Sequence, residues 1–145
     1  MKRLFLILLI LFITCVPSNE GKVIRVIDGD TVDVEFGGFL FRRIERVRLL
    51  GIDAPERWEP LYLEAKKELE KLVLGKTVRL EGDIEERDRY GRLLRHIYVD
   101  SIFVNAELIK LGLARAKFYP PNMKYRELFY KLEKEAKKKR RGIWR

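Results

Sequence analysis

The hydrophobic pattern of the first half of the chain predicts three consecutive β-strands. Residues 23–27 are apolar and β-branched apart from one arginine, and residues 31–36 alternate apolar and polar side chains with the period of a strand. Gly37-Gly38 marks a reversal, and residues 39–50 are expected to form a long third strand. Because short turns separate these segments, the pattern predicts an antiparallel meander.

The pattern then changes to the period of an amphipathic helix. Pro60 is expected at its first helical position, and Gly75 is expected to end it. This helix should pack against the strands through one apolar face. That face contains Leu61, Ala65, Leu69, Leu72 and Val73.

Two further strands and two helices are predicted in the second half. Residues 76–81 and 93–99 have strand patterns and are separated by the charged segment 85–92, whereas residues 105–111 and 125–139 have helical patterns. Five strands with a helix after the third indicate an α+β, mainly β fold, namely a five-stranded OB-fold Greek-key barrel with about three helices packed outside it. Such a barrel often binds nucleic acid, but a fold does not by itself establish a function.

The N-terminal residues have the pattern of an export signal. Lys2 and Arg3 precede the ten apolar residues 4–13, and a polar segment follows. A helix that spans a bilayer needs roughly 17 to 25 residues, so this run is short for a transmembrane segment. The alternatives are an uncleaved membrane anchor and a core helix of the domain.

The single cysteine, Cys15, lies just after the apolar run, where it is a candidate for lipidation. Its position leaves the rest of the chain without a disulfide or a thiolate metal site. We assign residues 1–20 to a signal peptide, or a membrane or lipoprotein anchor, with a linker, and residues 21–145 to the folded domain. The protein is expected to be exported, and either secreted or attached through its N-terminus to the outer face of the cell membrane.

The chain is strongly basic, with a formal net charge of +9. This charge favours a polyanionic partner, and both nucleic acid and an anionic membrane surface meet that description. The charge therefore indicates a class of binding partner but does not indicate a catalytic reaction.

Two acidic turns carry the candidate chemistry: Asp28-Gly29-Asp30-Thr31 and Asp53-Ala54-Pro55-Glu56. Taken singly, each is a common turn sequence with a structural interpretation. Both lie at ends of predicted strands, however, and a barrel can bring strand ends to one rim, where two carboxylates repel each other unless a cation lies between them. Their oxygens suit a hard cation such as calcium, whereas zinc would be expected to recruit histidine or cysteine, and His96 is the only histidine.

Three sequence blocks together resemble the staphylococcal nuclease (thermonuclease) family. The blocks are Val26-Ile27-Asp28-Gly29-Asp30-Thr31, Arg48-Leu49-Leu50-Gly51-Ile52-Asp53-Ala54-Pro55-Glu56 and Asp88-Arg89-Tyr90-Gly91-Arg92. Their order and internal spacing agree with the family, and the resemblance extends from about residue 22 to residue 144. Any one block would be a weak signal, whereas three in order are a strong one.

The resemblance implies a calcium site in which Asp30 and Asp53 are direct ligands and the main-chain carbonyl of Ala54 is a third. The family's prototype has threonine where this chain has Ala54, but a main-chain ligand should survive that change. Asp28 is expected to shape the turn or the outer coordination shell.

The resemblance also implies the catalytic and substrate-binding residues. Glu56 would hold the attacking water and act as its general base, while Arg48 and Arg92 would bind the scissile phosphate and stabilise the transition state. The family places aromatic and basic residues near three further positions, for which ordinary barrel packing is the alternative. These candidate substrate-binding residues are Arg89, Tyr90 and Tyr119.

The expected activity is that of a calcium-dependent endonuclease that hydrolyses DNA and RNA with low sequence specificity. Its substrate would be single-stranded or locally opened nucleic acid, and the protein is expected to be a monomer. One alternative is a catalytically inactive OB-fold module that only binds nucleic acid. A second alternative is a barrel that binds a small molecule or anion at a cell surface.

Overall fold

The first three strands form the predicted antiparallel meander in a computed structural model that describes residues 19–145. They are β1 (Glu20–Asp28), β2 (Thr31–Phe36) and β3 (Arg43–Leu49). Val23, Val26, Val32, Val34 and Val47 are buried, so the alternating pattern directs the apolar face of each strand into the core.

Helix α1 (Tyr62–Val73) follows β3 and the short strand β4 (Ile52–Asp53). It buries Ala65, Leu69 and Val73 on the predicted face. The helix begins two residues after Pro60, because Leu61 adopts a left-handed conformation with φ of 67° and cannot continue a helical turn. The predicted start at Pro60 was therefore slightly early.

The remaining elements complete a closed barrel. They are β5 (Thr77–Glu81), β6 (Leu93–Val99), β7 (Ile102–Phe103), α2 (Val104–Lys110), β8 (Arg115–Ala116), α3 (Arg126–Lys138) and a 3₁₀-helix (Gly142–Trp144). Strand β5 pairs antiparallel with β1 and β6, and β6 closes the ring by parallel pairing with β3, with Val47 opposite Leu93. The five long strands and three α-helices confirm the predicted OB-fold barrel, while β4, β7 and β8 were not predicted because two-residue strands leave no periodic signal.

The predicted third strand is wrong at its beginning, because residues 37–42 form a loop and β3 starts only at Arg43. Gly37 has a φ of 81°, and a side chain there would collide with the carbonyl of Phe41, so the chain folds back tightly at this point. The apolar residues that suggested a strand are exposed, with 98% of Phe39, 79% of Leu40 and 73% of Phe41 accessible to solvent.

Residues 1–18, which make up most of the predicted signal or anchor, lie outside the described residues. Within residues 19–145, no helix combines the length and the apolar composition needed to cross a membrane.

His96 lies in the core rather than at a site on the surface. Its ring packs edge-on against Phe103, Tyr125 and Phe129, and its Nδ1 lies 3.3 Å from the amide nitrogen of the buried Asn105 side chain. Burial lowers the pKa of His96 from about 6.5 to about 4, so the ring stays neutral at neutral pH. The residue therefore has a structural role.

His96 should make the protein sensitive to acid. The unfolded chain takes up a proton near pH 6.5 and the folded chain only near pH 4, so this group stabilises the fold above pH 6.5 and loses that contribution as the pH falls towards 4. The full loss is roughly 3 kcal/mol. We expect urea unfolding of wild type and His96→Gln, measured between pH 7 and pH 4, to show a weaker pH dependence in the variant. Parallel curves for the two proteins would contradict this assignment.

Candidate active site

The two acidic turns meet at one end of the barrel through the side chain of Asp30. This carboxylate is buried, and its Oδ2 accepts a hydrogen bond from the main-chain amide of Ala54 at 2.9 Å. Its Oδ1 accepts a second hydrogen bond from the hydroxyl of Thr31 at 3.0 Å. Asp30 therefore connects the β1–β2 turn to the segment that follows β4.

Close packing of small residues allows this approach. A Cβ atom added to Gly29 would lie 2.7 Å from the Cβ of Ala54 and 2.9 Å from the Cβ of Ala65 on α1. Real carbon atoms do not approach so closely without a shift of the structure. The glycine of the first turn is therefore required by the neighbouring turn and helix as well as by the hairpin.

Arg48, at the end of β3, lies between the carboxylates of the two turns. Its Nη2 is 3.3 Å from Oδ2 of Asp30 and 3.5 Å from Oδ1 of Asp53, while its Nη1 donates hydrogen bonds to the carbonyls of Leu49 and Ile52 at 2.6 and 2.9 Å. Only 14% of the Arg48 side chain is exposed. The guanidinium is thus held in one position, and its charge offsets that of both carboxylates.

The carboxylates of Asp30 and Asp53 fit a hard cation rather than zinc. One oxygen from each lies within 3.5 Å of the same guanidinium nitrogen, so they converge on one small region. Among residues 19–145, the structure contains no group of three or more histidine, cysteine, aspartate or glutamate side chains that are placed to hold a metal ion. A cation here would therefore need a main-chain carbonyl and water to complete its shell, which calcium accepts readily.

Asp28 stabilises the β1–β2 turn and does not join the carboxylates of Asp30 and Asp53. Its Oδ1 accepts a hydrogen bond from the main-chain amide of Asp30 at 3.2 Å. Burial, together with the neighbouring Asp30 carboxyl group, raises the pKa of Asp28 to about 6. These contacts agree with the turn-shaping position expected for this residue.

A cavity of about 480 Å³ opens beside the carboxylate pair. The structure brings five of the predicted site residues together around it: Arg48, Arg89, Tyr90, Arg92 and Tyr119. Its volume lies within the range of pockets that bind small ligands or a few linked groups of a polymer. Cationic and aromatic side chains thus surround a single concave surface.

Asp88 holds Arg92 at the edge of this cavity. Its Oδ2 accepts a hydrogen bond from Nε of Arg92 at 2.7 Å, and its Oδ1 accepts hydrogen bonds from the main-chain amides of Tyr90 and Arg92, each at 3.0 Å. Burial opposes ionisation of Asp88, but these contacts, first that with the Arg92 side chain, keep its pKa below the usual value. Arg92 is therefore oriented by its own turn.

Exposed aromatic rings line the same cavity with cations beside them. Tyr90 is 69% exposed and Tyr119 is 58% exposed. The guanidinium carbon of Arg89 lies 4.9 Å from the centre of the Tyr90 ring, and Nζ of Lys117 lies 5.5 Å from the centre of the Tyr119 ring. Because these rings face solvent, ordinary barrel packing does not explain their positions.

Glu56 lies apart from the lining of the cavity and is exposed, directly after the buried residues Ala54 and Pro55. Glu59 fixes its backbone, because the Oε1 of Glu59 accepts a hydrogen bond from the amide of Glu56 at 3.0 Å. Within the described part of the chain, the carboxylate of Glu56 has no hydrogen-bond or ion-pair partner. Its role as a base stays a prediction, as do the roles of the other site residues.

Sequence reasoning gave no role to three residues that the structure places beside the site. Lys117 lies near the metal candidate, with Nζ 3.8 Å from Oδ2 of Asp53, and Tyr119 and Asp53 raise the pKa of Lys117. The two-residue spacing of Lys117 and Tyr119 around Phe118, which packs against the core, could have shown that they share an outward face. The contacts of Asp88 and Glu59 depend on turn geometry, so no periodic signal could reveal them.

Comparison with known proteins identifies the family. The family model described as "Staphylococcal nuclease homologue" matches residues 46–145. The chain is 44% identical to the thermonuclease of Staphylococcus intermedius over 137 residues, which cover 90% of this chain and 79% of that protein. It is 41% identical to the thermonuclease of Staphylococcus hyicus over 135 residues, covering 88% and 78% of the two chains. Endonuclease YncB of Bacillus subtilis (strain 168) is 40% identical over 140 residues, covering 88% of this chain and 64% of that protein.

The barrel, the basic cavity and these matches define a nuclease-type OB-fold protein. The chain belongs to the staphylococcal nuclease family, as its three sequence blocks predicted. Membership supports hydrolytic nuclease activity as its class of function and nucleic acid as its class of substrate.

The close contact at Gly29 gives a test of how the two turns are held together. We expect Gly29→Ala to lower the free energy of unfolding by about 1 to 3 kcal/mol, because the new methyl group overpacks the junction with Ala54 and Ala65. The matched control is Gly82→Ala, where the nearest neighbouring atom lies 3.6 Å from the added Cβ. Chemical denaturation should show no loss for the control, and equal stabilities of the two variants would contradict the packing argument.

Proposed function

We propose that this protein is a calcium-dependent endonuclease that hydrolyses DNA and RNA with low sequence specificity. The observation that carries the proposal is the convergence of Arg48 and Arg92 on one cavity, directly beside the carboxylates of Asp30 and Asp53. A phosphodiester needs cations to offset its charge before a nucleophile can attack it, and this arrangement supplies them.

The two arginines would bind the scissile phosphate. A guanidinium offers several donors in one plane, which match the oxygens of a phosphate, and both side chains are held by other contacts before the substrate arrives. Preorganised donors stabilise the charge that develops in the transition state at little reorganisation cost. Arg92 is the better candidate for the leaving oxygen.

Glu56 would position a water molecule and accept its proton. Its side chain is exposed, and in the described chain no ion pair restrains it, so the carboxylate can turn towards a water near the bound phosphate. An ionised carboxylate accepts a proton in general base catalysis. Glu59 would support this role by holding the backbone of Glu56.

Asp30, Asp53 and the carbonyl of Ala54 would hold calcium, since their oxygens suit a hard cation. When bound, the ion would polarise the phosphate and lower the pKa of a neighbouring water. Tyr90 and Tyr119 would stack on bases, and such stacking tolerates any sequence but requires unpaired bases. These rings therefore favour single-stranded or locally opened substrates.

We also propose that the residues before β1 direct export, so that the nuclease acts as a monomer outside the cell, either secreted or held at the outer face of the membrane. The order of basic, apolar and polar residues at the N-terminus supports this proposal.

The catalytic assignment can be tested by digestion of single-stranded DNA, duplex DNA and RNA in calcium. We expect Glu56→Gln and Arg92→Ala each to lower kcat/KM by several orders of magnitude, because each removes an interaction that strengthens in the transition state. Matched controls are Glu64→Gln and Arg25→Ala, which change exposed residues on α1 and β1 and should retain wild-type rates.

A loss below tenfold in either site variant would mean that its role is assigned wrongly. Tight binding of oligonucleotides by wild type without any cleavage would instead favour the inactive binding module.

Calcium binding can be measured without activity. We expect calcium at about 100 times its Kd to stabilise the protein by about 2.7 kcal/mol, and to raise Tm by several degrees above the value in chelator. Asp53→Asn should abolish the shift, while Asp100→Asn, which changes an exposed aspartate with positive φ that asparagine also tolerates, should preserve it. The same Tm in calcium and in chelator would contradict the metal site.

A further inference from the structure

The β2–β3 loop presents an exposed apolar tip, formed by Phe39, Leu40 and Phe41. These three consecutive side chains are 98%, 79% and 73% exposed. Single exposed apolar residues are ordinary on a protein surface, but a contiguous group of large ones marks an interaction site. Nothing in the proposed nuclease chemistry uses this loop.

Two arginines stand at the base of the apolar tip. The side chains of Arg42 and Arg43 are 61% and 58% exposed, although Arg42 pairs with Glu35 at 3.0 Å and Arg43 with Glu45 at 3.4 Å. Exposed ion pairs of this kind contribute little, so either guanidinium can exchange its partner for another anion. The β2–β3 loop therefore presents the apolar tip at its end, and two arginines follow the tip directly in the chain.

The apolar tip lies at the end of the barrel opposite the candidate active site. Strand β2 starts at Thr31, next to Asp30, and ends at Phe36, next to the loop. Six residues of strand extend roughly 20 Å at about 3.3 Å per residue. A phosphate held beside Arg48 would therefore lie roughly 20 Å from the tip. Tyr90 and Arg92 continue the cavity into a groove along β3 that reaches Ile44 but includes no residue of the tip.

The chain enters the barrel at this same end. Lys22 on β1 pairs with Glu35 of β2 and with Thr77 of β5, and Lys22 and the neighbouring Lys76 are both exposed. The apolar run of residues 4–13 precedes β1 in the sequence. The basic residues around the loop and the beginning of β1 therefore lie at the same end of the barrel.

We propose that the apolar tip inserts into the interfacial region of an anionic lipid bilayer. Phe39, Leu40 and Phe41 enter the acyl boundary, and Arg42 and Arg43 stay at the level of the lipid phosphates. Each basic residue held near an anionic surface increases partitioning by about fivefold. In this orientation the candidate active site faces away from the membrane, towards dissolved substrate.

A bilayer fits this surface better than a second copy of the chain. Three side chains at a convex point cover much less than the roughly 1,600 Å² that a stable protein interface buries. A membrane interface needs no complementary pocket, and it supplies both an apolar layer and anionic groups. The shape and the charge of the loop therefore favour lipid.

The test uses the full chain with a tryptophan introduced at one of two positions. Leu40→Trp places the probe in the apolar tip, and Leu63→Trp places it at a 59% exposed position on α1, near the active-site end. Both variants retain Trp58 and Trp144, so their difference isolates the new probe. On phosphatidylglycerol vesicles with brominated acyl chains, we expect at least twofold stronger quenching for Leu40→Trp than for Leu63→Trp.

A second comparison tests the arginines. Adding Arg42→Gln and Arg43→Gln to Leu40→Trp should reduce its quenching on phosphatidylglycerol vesicles at least twofold, because the cations no longer hold the loop at the lipid phosphates. Unchanged quenching would overturn the assigned role of these arginines.

Equal quenching of Leu40→Trp and Leu63→Trp would overturn the proposal, even if the N-terminus tethers the protein to the vesicle. Two further results, measured on the triple variant Phe39→Ser/Leu40→Ser/Phe41→Ser, would also overturn the proposal. Loss of a wild-type dimer in sedimentation would assign the tip to a second copy, and a raised KM for oligonucleotides would assign it to substrate. We expect neither result.

Discussion

The hydrogen bond from the amide of Ala54 to the carboxylate of Asp30 is the contact on which the candidate active site depends. It joins two turns that are 24 residues apart in the chain, and it is buried. A buried carboxylate is costly unless donors surround it, so Asp30 requires this amide, Thr31 and Arg48. Each of these partners is fixed in turn by the barrel, which closes through the parallel pairing of β3 and β6.

The site divides into two parts with opposite electrostatic character, and Arg48 belongs to both. On one side it offsets the charges of Asp30 and Asp53, and on the other it lines the cavity with Arg92. The same guanidinium thus keeps the two carboxylates close together and contributes positive charge to the cavity. The main-chain carbonyls of Leu49 and Ile52 hold it in place, so the local fold of the β3–β4 segment sets this geometry.

The sequence allowed the barrel to be predicted and five of the residues that line the cavity to be named as candidates, because strand alternation and three turn motifs are local signals. The strand predicted from residue 39 failed because apolar residues normally indicate a core, whereas Gly37 turns the chain and leaves Phe39 exposed. Lys117 was missed because its proximity to Asp53 arises from the pairing of β4 with β8, two strands too short to leave a pattern. Long-range contacts between short elements are therefore the structural features that reasoning from a single sequence does not predict.

Strand β2 also sets the distance between the two ends of the barrel. Thr31 at one end and Phe36 at the other are separated by a strand that is paired residue by residue with β3, whereas two register shifts interrupt its pairing with β1. Because the side-chain period of a strand is two, inserting one residue would turn Val32 and Val34 away from the core unless a bulge absorbed it, as the two register shifts in β1 do. A two-residue change in β2 would alter the spacing between the loop and the acidic turns by about 7 Å, whereas a one-residue change would need a further bulge.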